Sequence, residues 1–282
     1  MRTERVFILS SLLTIGLAIL AALQRGDLAT PGGVTQVNWA LGAALVIVAS
    51  GGSIWLRARP RFPTKTLLAP EYLPFLPVPV HALLPALLLV GYAIFMQLFT
   101  GSWFEVVVIG LAWVSFVGVY WALAHSADTS DRYFGLAQTA LNVCAHLTAF
   151  LLYSTIYGLK VRALYSATAV ALVTTLLVYE MLARDASWHR ALGRPVEGRR
   201  STQVILSAAA GLVLGQLTWG LNYWAALTTL VGGACLLLAL YATYGVVSAY
   251  VDQRLNRGTL LEYGGVGALG LLAIFGSAFL GQ

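Results

Sequence analysis

Three polar residues recur at every fourth position of one apolar stretch, AQTALNVCAHLTAFLLY at 137–153: Gln138, Asn142 and His146. Positions four apart on a helix lie nearly above one another, so the three form a ridge, with Tyr153 close to the same line. Such a ridge supports three chemistries. It can tie neighbouring helices together by hydrogen bonds, line a path for a ligand, proton or small solute, or ligate a cofactor through His146. A bis-histidine haem needs two imidazoles at similar depth, and His81, His125 and His189 all fall at span ends or in loops. No cofactor is therefore expected. An ion-coupled path needs an acidic partner in mid-span, yet each Asp and Glu falls at a span end or in a loop, Glu105 and Glu180 being nearest to burial.

A second constellation is His125, Asp128 and Asp131 in HSADTSDRYFG. Enzymes that transfer prenyl groups hold magnesium-diphosphate on paired aspartate clusters, because hard cations take oxygen ligands. One such cluster is insufficient, and SADTSD is also a natural turn and helix cap. A membrane enzyme acting on a lipid would rest on these three residues. Glycine-rich phosphate loops, zinc-protease motifs and nucleophile elbows do not occur in the sequence, and Cys144 and Cys235 lack metal-type spacing. No metal site is expected. The two cysteines read as small buried hydrophobes.

The elements that carry these residues follow from composition. Of 282 residues 59% are hydrophobic and 10% charged, with a mean hydropathy of +0.80. Soluble domains carry about 25% charged residues, so lipid must be the solvent for most of this chain. A helix crosses a bilayer with roughly 20 apolar residues. Nine such stretches are expected, at 6–23, 38–56, 81–99, 103–123, 134–157, 163–183, 202–220, 224–250 and 264–281. The first has an apolar part of about 18 residues, longer than the 7–15 of a signal-peptide core, and starts close behind Met1. It is expected to be a span rather than a cleaved leader. The fold class is all-α: one polytopic helical membrane domain.

Charge placement orients the bundle. With the N-terminus cytoplasmic, 14 of the 17 Lys and Arg residues fall on the cytoplasmic side, and only Arg25, Lys160 and Arg162 do not. Such a bias is what the positive-inside rule demands, giving N-in and C-out in a bacterial cytoplasmic membrane. The loop after the second span begins with Arg57, Arg59, Arg61 and Lys65 and turns proline-rich. Its basic half is a candidate for anionic headgroups, at about 1 kcal/mol per charge. Spans 3–5 and 7–9 share interfacial motifs, QLFTGSWF and QLTWGLNYW, that allow a weak parallel repeat. Small residues let helices approach closely in lipid. Ser207, Gly211 and Gly215 make one such stripe, and Gly270 and Ser277 lie on another.

From the seventh span onward, GQLTWGLNYW and LYATYGVVSAYVDQRLNRGTLLEYG resemble a family of uncharacterised bacterial polytopic membrane proteins, a domain of unknown function. The resemblance covers mainly the C-terminal hundred residues. It implies a multi-helix membrane protein and carries no catalytic residues over. The expected function is a non-catalytic integral membrane protein, a subunit or scaffold that binds membrane lipids, other membrane subunits or a second copy of itself, with no nucleic acid. The alternatives are a carrier of a small or lipidic solute using the fifth span, and the lipid enzyme described above.

Overall fold

The computed structural model describes residues 2–25, 34–57, 79–98, 102–160, 162–191, 200–224 and 227–280. Among them nine helices follow in order: α1 (Arg2–Arg25), α2 (Val34–Arg57), α3 (Leu83–Leu98, led by a 3-10 turn Val80–Ala82), α4 (Ser102–His125), α5 (Phe134–Gly158), α6 (Ala163–Ala191), α7 (Arg200–Leu221), α8 (Thr229–Val251) and α9 (Arg257–Leu280). Eight of them, α1 to α8, are long and apolar enough to cross a membrane. The chain is a multi-pass integral membrane protein built as an all-helical bundle. Its exposed side chains agree: Ile8, Ile47, Leu212 and Leu269 are each about two-thirds exposed, as lipid-facing residues are.

Three helices depart from the expected spans by five residues or more at one end. α8 begins at Thr229 rather than 224, because the chain turns first: the Tyr223 N–H donates to the Gly220 carbonyl and the Trp224 N–H to that of Leu221. α9 begins seven residues early because Asn256 caps it, its Oδ1 accepting the Thr259 N–H at 2.8 Å. α6 runs eight residues past 183, to Ala191, so His189 is helical rather than in a loop.

The fold comprises two compact units, residues 1–148 and 149–282, with the boundary inside α5. In the first unit α1 packs against α2, α3 and α4, and α3 also meets α2 and α4. Leu13, Leu17, Leu84, Leu88 and Phe116 fill its core. Tyrosines supply its polar links. Tyr120 donates to the Ala49 carbonyl at 2.9 Å, and Tyr92 lies 2.8 Å from Ser115 Oγ. Ser115 already spends its own hydrogen on the Leu111 carbonyl, so Tyr92 is the donor.

In the second unit α6 packs along α7, α7 meets α8, and α8 packs on α9. The Ser207, Gly211 and Gly215 stripe forms the α6–α7 seam. A methyl group at Gly211 would overlap the Ala171 carbonyl and Thr175 Oγ1, and one at Gly215 would lie 3.0 Å from the Ala167 carbonyl. Gly270 of the other stripe admits the Leu238 side chain, while the side chain of Ser277 lies outside the described residues. At the far end of the seam Asn222 Nδ2 donates to Ser166 Oγ at 2.7 Å. The helices are thus antiparallel and in register from end to end.

Gly211→Val places carbon against backbone that no rotamer change can move. It should destabilise the protein by about 1–3 kcal/mol, the usual cost of overpacking. Gly264→Ala, where an added methyl meets nothing within 4 Å, should not lower the melting temperature in detergent, since alanine is the better helix former. Equal effects of the two substitutions would show that the seam is looser than described.

Candidate functional site

Gln138, Asn142 and His146 all lie on α5 and are half-buried. His146 Nδ1 stands 2.8 Å from the Asn142 carbonyl. A carbonyl only accepts, so Nδ1 carries the hydrogen and the imidazole is tethered to its own helix. Tyr153, in the second unit, is fully buried, its hydroxyl 2.7 Å from Thr174 Oγ1 of α6. Thr174 donates to the Val170 carbonyl, so Tyr153 must donate to Thr174. Of the four ridge candidates, two make these hydrogen bonds within the helical framework.

His125 and Asp131 are brought together, with Nδ1 2.7 Å from Oδ2. Asp128 turns away: its Oδ1 accepts from the N–H and hydroxyl of Ser130. Asp131 Oδ1 accepts the Tyr133 N–H at 3.0 Å, closing the turn that launches α5. Burial works against the Asp131 charge, but the Tyr133 N–H and the His125 ring outweigh it and hold the carboxyl below its usual range. The His125 ring packs against Trp121 and Tyr133, at centroid distances of 4.8 and 5.6 Å, and those two rings also touch each other. A knot of turn, ring and carboxylate results. Arg57 is the last residue of α2; Arg59, Arg61 and Lys65 lie outside the described residues.

Sequence reasoning missed a cluster in the second unit, where α6, α7 and α8 end together. Glu180, 2% exposed, pairs with Arg184 at 3.1 Å. Tyr244 of α8 donates to Asp185 Oδ2 at 2.5 Å. His189 Nε2 stands 3.2 Å from Asp252 Oδ1, and Arg254 also pairs with Asp252. Arg200, opening α7, donates to the Tyr179 hydroxyl at 3.3 Å. The local signal was present in the spacing: Glu180 with Arg184, and Asp185 with His189, are i,i+4 pairs. Their partners on α8 lie some sixty residues on, where no local pattern announces them. At the opposite end of the unit Tyr157 donates to the Leu221 carbonyl at 3.1 Å. Lys160 Nζ sits 3.9 Å from the centre of the Tyr157 ring, and burial lowers the Lys160 pKa.

Among the described residues no three His, Cys, Asp or Glu side chains are grouped to hold a metal ion. What the arrangement does chemically is pair charges and join helices by hydrogen bonds. The family model for Protein of unknown function (DUF5656) matches residues 17–276. The chain belongs to the DUF5656 family. The match runs through nearly the whole chain, both units included, and not only the C-terminal hundred residues in which the resemblance is read from sequence. No curated protein and no solved structure matches it.

The lowered Asp131 pKa sets a pH dependence with a definite sign. A depressed carboxylate stabilises the fold above its unfolded value, near 3.9, and that stabilisation is lost as pH falls through the folded value. Asp131→Asn should therefore melt below the wild type at pH 7, by at most about 1 kcal/mol for this partly exposed pair. The gap should close as pH falls through the folded value. A gap that persists in acid would assign the effect to the turn rather than the charge.

Proposed function

We propose that this member of the DUF5656 family is a non-catalytic integral membrane protein of the bacterial cytoplasmic membrane, N-in and C-out. In this reading it is a subunit or scaffold that binds membrane lipids or partner chains. The observation that supports it most is the fate of the polar groups in the spans. Thr148, Thr155, Thr174 and Thr218 each donate to the carbonyl four residues back. Tyr92 and Tyr153 donate to hydroxyls of neighbouring helices, and His146 is held by the Asn142 carbonyl. A catalyst or carrier presents groups of this kind to a substrate. Here their hydrogens are spent on the framework, where a bond between helices is worth about 0.6 kcal/mol.

The basic side of the spans adds to the lipid part of the reading. Arg5 rests over the Trp55 ring at 4.6 Å, an arrangement suited to the headgroup layer, where aromatic rings and cationic side chains gather. A carrier for a small or lipidic solute is the competing reading, favoured by the half-buried state of Gln138, Asn142 and His146.

His146→Ala separates the two. The scaffold reading expects a lower melting temperature, by about 1 kcal/mol of lost hydrogen bonding, and unchanged lipid and solute retention by the purified protein. Unchanged stability with loss of a retained solute would sink it in favour of the carrier.

A further inference from the structure

Asp185 and His189 lie four residues apart on α6, hence on one face, and both reach α8 or the turn that ends it. Tyr244 donates to Asp185 within the span. His189 lies beyond it, since the apolar part of α6 closes at Ala186, and meets Asp252. Asp252 is held in place by a Schellman motif. The Arg254 N–H donates to the Ala249 carbonyl and the Gln253 N–H to that of Tyr250, with Gln253 at φ 55°. Its carboxylate is thus aimed by backbone, and it also pairs with Arg254.

We propose that His189 and Asp252 form a pH-sensitive clip that holds the last turn of α6 against the end of α8. Imidazole is the side chain whose charge ordinarily changes between about pH 5 and 8. With His189 protonated the contact is a charge-assisted ion pair. With His189 neutral it is at best a neutral donor to a carboxylate, and the attraction between the two charges is lost. Arg254 is what makes the change safe. Asp252 keeps a cationic partner in both states, so loss of the imidazolium weakens the tie between helices without stranding an anion.

The charged surroundings are Glu180, Arg184 and Asp185 on α6, Tyr244 on α8, and Arg254 in the turn. Arg200 of α7 is engaged with Tyr179. The Tyr244–Asp185 bond ties the same two helices one turn away. Only residues after Ala186 loosen as pH rises. The clip does not depend on whether the protein acts as a scaffold or a carrier.

Hydrogen exchange of the intact protein in lipid nanodiscs tests this, read on a peptide covering 184–191 at pH 5.5 and pH 8 and corrected for intrinsic exchange rates. Protection should fall about threefold at pH 8, the scale of the ion-pair attraction lost from a partly exposed pair. His189→Gln and Asp252→Asn should each abolish the fall, and His125→Gln, at the other histidine–aspartate pair, should preserve it. Equal protection of the wild type at both pH values, or a fall that survives in either clip variant, overturns the proposal.

Discussion

The seam between α6 and α7 is the contact on which the second unit depends. Lipid offers helices no hydrophobic reason to associate, so dispersion at close range must hold them, and dispersion fades within an ångström of added separation. Gly211 and Gly215 remove the side chains that would keep the backbones apart, bringing α7 against the Ala167 and Ala171 carbonyls. Everything else at the ends of these helices follows from that closeness. Asn222 reaches Ser166 at one end and Arg200 reaches Tyr179 at the other. The same device recurs on α8, where Gly233 leaves space taken by Ser154 and Gly245 leaves space taken by the Tyr263 ring.

A second constraint acts on the polar groups. A hydroxyl left unbonded in an apolar medium costs about 2–7 kcal/mol, far more than the net gain of a typical hydrogen bond. The threonines settle this locally, by bonding the preceding turn. The tyrosines settle it across helices, with Tyr92, Tyr120, Tyr153 and Tyr157 each reaching a neighbour. Because Ser115 and Thr174 have already committed their own hydrogens, the direction of the Tyr92 and Tyr153 bonds is fixed. Glu180 and Arg184 illustrate the same constraint for charge: buried side by side, neither is tolerable alone, and they occupy consecutive turns of one helix.

Much of the fold was legible in the sequence because a membrane span is a matter of composition over twenty residues, and nine helices lie over the nine expected stretches. Their ends were less legible. The Asn256 cap could have been read from its spacing to Thr259, whereas the extension of α6 to Ala191 runs through polar residues that resemble a loop. The ridge of α5 was visible from its four-residue period, but not that His146 bonds to its own helix. The α6–α8 cluster was hidden for a different reason. Asp185 and Tyr244 are 59 residues apart and His189 and Asp252 are 63 apart, and only the packing of α6 and α8 brings them together.

In the function proposed above, the polar interior serves the framework and the protein's work lies in what it binds. Native mass spectrometry of the protein released gently from its own membranes tests that claim most directly, with every co-released species identified. A stoichiometric partner chain or bound membrane phospholipid is expected, retained equally when His146 is replaced by alanine. A lone protein carrying one specific small solute, lost on that replacement, would contradict it.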